Sequence, residues 1–289
     1  MNDARKHSHT HPPLTPPCVQ GGGSVRAVLA LATVRLAAVT ATPRLDAEVL
    51  MAHAFGVSRE DMLLHHLDAA MPPTFTALLA RRLGHEPAAY ITGRRAFWTI
   101  ELEVGPGVLI PRPDSETLIE AAVAHFGGQG PPRILDLGTG PGSLLLAALD
   151  QWSEASGIGV DASEAALAYA RRNGNPRAGF RHGDWGAGLE ERFDLILCNP
   201  PYVEAGAVLP PDVADFEPPA ALYAGADGLD AYRALAPQFG PLLAPGGIVC
   251  LEIGAGQAEA VSALMAAAGF TISSRVDLNG IARCLILAA

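Results

Sequence analysis

A chain of 289 residues with 30 acidic against 20 basic side chains, a formal charge of -10, offers duplex nucleic acid little to hold, because such partners are gripped through basic surface. With 49% of its residues hydrophobic it can bury the core of one large domain and a small one. Its four cysteines (18, 198, 250 and 284) show no Cys-x-x-Cys spacing, which argues against zinc, and Arg35 interrupts the longest early apolar run short of membrane-spanning length.

Residues 1–23, rich in His, Pro and Gly, cannot build a core and are expected to be a disordered tail. His7, His9 and His11 alternate there, but a solvated tail is a better reading than a metal site. The order of charge and apolarity is not that of a secretory leader, so a reduced, cytoplasmic setting is expected, with Cys198, Cys250 and Cys284 as buried thiols. Residues 24–92 read as a small helical domain. Ser24 stands as the cap of Val25–Val39, and Thr42 precedes Pro43 in the first turn of a helix that Gly56 closes. Ser58 with Asp61 resembles a capping box, and Pro73–Leu83 makes a fourth helix. Residues 93–112 are expected to link the domains as a hairpin, Phe97–Val104 against Val108–Ile110 around Gly105-Pro106-Gly107. Arg112 is read as a hinge arginine paired with Asp114 or Glu116, ahead of a contact with the substrate loop or a cofactor carboxylate.

From residue 113 to 289 strands and helices alternate, the pattern of an α/β domain with a Rossmann-like sheet. The strand Arg133–Leu137 runs into Gly138-Thr139-Gly140-Pro141-Gly142 and then a helical run from Ser143, the order of a nucleotide-binding unit. Ser143 replaces the last glycine of the dinucleotide fingerprint, and no Gly-Lys-Ser/Thr follows, so neither NAD nor a P-loop ligand is indicated. Asp136 at the strand end would repel a pyrophosphate and suit the cationic amino group and sulfonium of S-adenosylmethionine. Asp161 closes the next strand, Gly157–Val160, where a carboxylate takes ribose hydroxyls. A weak third strand, Ala178–His182, leads to Asp184, which can accept from an adenine amine, and Trp185, which can cover a ring face. Beyond it come a long loop, Glu204–Pro219, read as a lid or partner surface, and then helix Leu229–Leu243, strand Ile248–Ile253, helix Gln257–Ala268 and two final strands. Glu252 and Gln257 are read as shaping the loop between them.

The most informative segment is Asn199-Pro200-Pro201-Tyr202, at the exit of the apolar strand Phe193–Cys198. The Asn199 side-chain oxygen and the Pro200 carbonyl make a two-acceptor receptor for an NH2 group, and Tyr202 supplies a flat wall. A planar amide or the exocyclic amine of a flipped base fits such a slot. Asn199, Pro200 and Tyr202 are therefore the residues expected to carry the chemistry, with Pro201 completing the substrate slot.

The domain with these motifs resembles class I S-adenosylmethionine-dependent methyltransferases. From about Arg44 onward the chain resembles the HemK/PrmC family, protein-(glutamine-N5) methyltransferases of peptide chain release factors. The resemblance rests on Asp136 to Gly142, Asp161, Gly183 to Trp185, Asn199 to Tyr202, Phe216-Glu217-Pro218, Glu86-Pro87, Tyr90 to Gly93, Phe97-Trp98 and Leu109 to Glu116. It implies S-adenosylmethionine contacts at Gly138 to Gly142, Asp161, Trp185 and Asn199, and the substrate glutamine in Asn199 to Tyr202. The implied partner is a release factor bearing Gly-Gly-Gln, which the helical domain helps to recognise. A monomer without membrane or nucleic-acid partners is expected. An adenine-N6 methyltransferase acting on DNA or RNA is the alternative, and a non-catalytic cofactor-binding protein a more distant one.

Overall fold

The computed structural model describes residues 23–289, and the tail carrying His7, His9, His11 and Cys18 lies outside them. The chain forms two compact units, one ending at Leu83 and one running from Gly84 to Ala289. The first is built from α1 (Val25–Leu36), α2 (Pro43–Phe55), α3 (Arg59–His65) and α4 (Phe75–Leu83). Their inward faces bury Leu29, Leu36, Leu50, Met51, Met62 and Phe75, each aliphatic side chain contributing roughly 1.5–3 kcal/mol. Ser58 caps α3 by accepting from Asp61 N at 3.0 Å. Ser24 and Thr42 make no such bond: the Thr42 hydroxyl instead donates to Asp46 at 3.0 Å, inside the first turn it was expected to cap. Asp46 in turn accepts from Arg82 at 2.7 Å, a buried pair that fixes α4 on α2.

The second unit opens with α5 (Ala88–Thr92), then β1 (Arg94–Phe97) and β2 (Ile100–Glu103) as an antiparallel pair. This corrects the expected hairpin. The turn is Trp98-Thr99, with Trp98 in the left-handed region at φ 53°. Trp98 N donates to Glu116 at 3.0 Å and Thr99 Oγ1 to Asp150 at 2.5 Å, so tertiary contacts hold an otherwise unfavourable turn. Gly105 serves close approach instead, since a Cβ there would lie 2.3 Å from the Tyr169 hydroxyl.

There follow α6 (Glu116–Phe126), which no sequence signal singled out, β3 (Arg133–Leu137), α7 (Ser143–Gln151), β4 (Ser156–Asp161), α8 (Glu164–Asn173), β5 (Ala178–His182) and β6 (Phe193–Cys198). The chain ends with α9 (Pro211–Ala214), α10 (Asp230–Leu242), β7 (Leu243–Glu252), α11 (Ala258–Ala267), β8 (Thr271–Val276) and β9 (Ala282–Ala288). The seven-stranded sheet has the order β5-β4-β3-β6-β7-β9-β8. β3 to β7 are parallel and β9 is antiparallel to both of its neighbours. Alternation along the strands feeds two cores: Ile134, Leu195 and Leu197 pack on the α6 and α7 side, and Leu135, Leu137, Ile196 and Cys198 on the α10 and α11 side.

The strand order reverses between β3 and β6, the place where open α/β sheets leave a crevice at the carboxyl ends. The glycine loop after β3 and Asn199 after β6 therefore meet. Asn173 ties the hairpin to that loop: its Nδ2 donates to Pro141 O at 2.9 Å and to Glu103 O at 3.1 Å, and its Oδ1 accepts from Glu103 N at 2.7 Å. Asn173→Ala is expected to lower unfolding free energy by about 1–2 kcal/mol in urea titration, whereas Leu278→Ala, at a fully exposed side chain, should change it by less than about 0.5 kcal/mol.

Candidate active site

Gly138, Gly140 and Gly142 all lie at positive φ (72°, 56° and 89°), which lets the loop fold tightly over the N-terminus of α7. Asp161 braces it: Oδ2 accepts from Gly140 N at 2.8 Å and Oδ1 from Ser163 N at 2.8 Å. Each oxygen keeps a further lone pair. Trp185, itself at φ 52°, closes the far side, and a Cβ on Gly138 would lie 3.3 Å from its ring. Between them lies a cavity of about 310 Å³. Gly138, Thr139, Gly140, Pro141, Asp161, Asp184, Trp185 and Asn199, all expected around a cofactor, line it.

Two members of that expected set do not. Gly142 sits behind the wall as the cap of α7. Asp136 is fully buried under the loop, where Oδ2 accepts from the Thr139 hydroxyl at 2.6 Å and from Leu145 N at 3.2 Å. Residue alternation in β3 turns Asp136 toward α7, so it holds the loop from within and does not face a ligand. Burial pushes its carboxyl up to about 7, against the pull of those two donors.

A second cavity, of about 270 Å³, is lined by Pro200, Tyr202, Val203, Leu209 and Val213 among others. Asn199, Arg112, Leu109 and Ala221 line both cavities, so the two share a wall at Asn199. Pro201 lines the first cavity, and Pro200 and Tyr202 the second. Asn199 Nδ2 donates to Ser115 Oγ at 3.0 Å, which leaves the side-chain oxygen free to accept. Tyr202 Oη donates to Glu252 at 3.3 Å. Burial drives the Tyr202 hydroxyl far above its ordinary value, so it stays protonated at neutral pH.

Arg112 does not pair with Asp114 or Glu116. Asp114 is held by Arg283 at 3.0 Å, and Glu116 is engaged at the Trp98 turn. Arg112 instead pairs with Glu217, a buried carboxylate that also accepts from Ile110 N at 3.1 Å. The long loop after Tyr202 is thus tied back to Ile110-Pro111-Arg112. Gln257 shapes its own loop, as expected: Oε1 accepts from Gly254 N at 3.0 Å and Nε2 donates to Tyr202 O at 3.0 Å. Ser115 and Glu217 entered the sequence reading only as parts of longer segments, and Glu252, read with Gln257 as shaping the loop between them, instead accepts from Tyr202.

The family described as PrmC N-terminal domain matches residues 27–93, and the family described as methyltransferase domain matches residues 134–208. The release factor glutamine methyltransferase of Rhodospirillum rubrum is 44% identical over 84% of this chain and 78% of its own length. That of Xylella fastidiosa (strain Temecula1) is 41% identical over 88% of this chain and 94% of its own. The chain belongs to the release factor glutamine methyltransferase family. A solved methyltransferase from Pyrococcus furiosus, 20% identical, superposes with a TM-score of 0.51 over 73% of this chain and 98% of its own, a likeness of fold. In family terms the strand-end motifs form the methyltransferase domain.

Asp136 and Glu252 are both raised by burial to about 7, against ordinary values of 3.8 and 4.5. Between those limits the folded chain holds protons that the unfolded chain has released, so stability falls as pH rises from about 4 to 7. Asp136→Asn is expected to flatten that slope in denaturation curves recorded across the window. An unchanged slope would show that Asp136 ionises normally in the fold.

Proposed function

We propose that this chain transfers the methyl group of S-adenosylmethionine to the side-chain amide nitrogen of the glutamine in the Gly-Gly-Gln motif of peptide chain release factors. The observation that carries this reading is the shared wall at Asn199: one cavity reaches it from the glycine loop, the other from Pro200 and Tyr202. The residues of the first cavity fit the methyl donor. The backbone of Gly138 and Gly140 leaves room for close approach, Asp161 has lone pairs for ribose hydroxyls, and Asp184 with Trp185 offers an acceptor and a ring face for adenine. Val160, Leu144 and Ala166 supply apolar walls. When bound there, S-adenosylmethionine supplies a methyl group on a sulfonium, a good leaving group.

The difficulty lies in the nucleophile, because the lone pair of an amide nitrogen is delocalised into its carbonyl. Asn199 Oδ1 and the Pro200 carbonyl accept the two N–H bonds, hold the nitrogen against that conjugation and aim it at the first cavity. Positioning of this kind contributes several kcal/mol. As positive charge grows on the nitrogen, the same two carbonyl dipoles stabilise it. The methylated nitrogen is acidic enough to lose its proton without a strong base. Tyr202 is a wall for the amide plane, its hydroxyl occupied by Glu252. The helical unit contributes to recognition of the release factor. The enzyme is read as a cytoplasmic monomer for which nucleic acid is not a substrate, and among the described residues no helix is long and apolar enough to cross a membrane.

Purified protein incubated with S-adenosylmethionine and an unmethylated release factor should place one methyl on the Gly-Gly-Gln glutamine, located by peptide mass spectrometry. Transfer to adenine in nucleic acid, with none to that glutamine, would replace the substrate assignment. Asn199→Ala should lower kcat by about 100- to 1000-fold, a larger loss than in cofactor affinity; equal, large losses in both would count against the amide receptor. Tyr202→Phe should stay within about tenfold of the native rate, since its hydroxyl contributes one ordinary hydrogen bond.

A further inference from the structure

The slot needs the Pro200 carbonyl and the Tyr202 ring in fixed places, and the segment that carries them does little to hold itself. Pro200 and Pro201 have no N–H to donate, and their rings lock φ. So stiff a pair moves as one piece, and its position is decided at its two ends. At the Asn199 end β6 holds the chain, with Cys198 paired to both Leu137 and Leu251. At the Tyr202 end the strand has finished. Val203 bonds onward to Leu222 and Ala224 at 2.8 Å, and the Tyr202 carbonyl is tied back by a side chain, that of Gln257.

Gln257 is the cap residue of α11. Its N donates to Gly254 O at 3.1 Å and its O accepts from Val261 N at 3.0 Å, so the side chain starts from a fixed point. The two ends of a glutamine amide are nearly equal in shape, and their direction is set by their partners. Here the partners are backbone groups of fixed polarity. Gly254 N can only donate, and it faces Oε1 at 3.0 Å. Tyr202 O and Gly228 O can only accept, and they face Nε2 at 3.0 and 3.4 Å. The NH2 of Gln257 is therefore committed to the Tyr202 carbonyl. Packing leaves that residue little slack. A Cβ on Gly228, at φ 71°, would lie 2.4 Å from Tyr202 O, and a Cβ on Gly254 would lie 3.1 Å from Cδ2 of the Tyr202 ring.

We propose that Gln257 is a positioning residue for methyl transfer: by donating to the Tyr202 carbonyl it clamps the far end of the Pro-Pro-Tyr wall, and so keeps the Pro200 carbonyl beside the Asn199 oxygen as second acceptor of the substrate amide. This rests on reading the slot as an amide receptor. Gln257 lines neither cavity, so its loss should act on turnover and not on binding of the methyl donor.

The test is steady-state methylation of an unmethylated release factor across a range of pH, with S-adenosylmethionine affinity measured separately by calorimetry. Gln257→Glu keeps length and shape and can still accept from Gly254 N, but a carboxylate cannot donate to Tyr202 O. It should lower kcat by about 10- to 100-fold and leave donor affinity within about twofold of native. The deficit relative to native enzyme at the same pH should shrink as pH falls, because a protonated carboxyl donates again. A residue that only packs would give no such profile. Gln257→Met, which keeps bulk without a donor, should show a similar loss of kcat at every pH. A deficit in Gln257→Glu that ignores pH would overturn the proposal. So would native turnover in Gln257→Met, whether or not Gln257→Glu folds. A native protein that methylates no glutamine would overturn the functional reading and the proposal with it.

Discussion

The rest of the site depends on the reversal of strand order between β3 and β6. These strands pair in parallel, Leu137 opposite Cys198, although the two halves of the sheet wind away from one another. Loops leaving adjacent strands at a reversal cannot both cross the same sheet edge, so they part and leave a crevice. Here one loop carries the backbone cradle Gly138 to Gly140 and the other carries Asn199. A Cβ at Gly138 would already lie 3.7 Å from Asn199 O, so the two segments are in contact before any ligand arrives. One topological feature thus sets the distance between the two cavities.

Two acidic side chains, buried near the carboxyl ends of β3 and β7 on either side of β6, are the cost of holding these loops. Asp136 anchors the glycine loop to α7 from β3, and Glu252 anchors Tyr202 from β7. Each has one carboxyl oxygen with no hydrogen-bond partner, and each is raised by burial to about 7. A buried, incompletely satisfied carboxyl lowers stability. Thr139, Leu145 N and Tyr202 all donate toward these two carboxyls.

Much of this was legible in the sequence wherever the information is local. The strands Arg133–Leu137, Ala178–His182 and Phe193–Cys198 have the bounds that their apolar runs indicate, and the glycine loop follows the first of them directly. The segments misread are those whose conformation is decided by distant partners. Gly105-Pro106-Gly107 has the composition of a hairpin turn, yet Gly105 is needed because Tyr169 packs where its side chain would be. The actual turn places a tryptophan at positive φ, which no propensity favours and which Glu116 and Asp150 stabilise from elsewhere in the chain. Arg112 has carboxylates two and four residues away, yet it pairs with one 105 residues distant. Asp136 looks like a ligand because an acid at a strand end faces a crevice in many sheets, and only the alternation of β3 against α7 turns it inward.

The Arg112–Glu217 pair also answers an electrostatic difficulty. Arg112 borders both cavities, where the proposed reaction brings a cationic methyl donor beside a nitrogen that gains positive charge. An unpaired guanidinium there would oppose both: two unit charges 4 Å apart interact by about 4 kcal/mol at an effective dielectric of 20. Glu217 is 3% exposed, and burial raises its carboxyl while Arg112 pulls it down. Its charge offsets that of Arg112 within the pair. The guanidinium plane then shapes the junction between the cavities without adding net charge to it. The same pair fastens the loop after Tyr202 to the segment that carries Ser115, so neutralising the arginine and closing the wall of the slot are one structural act.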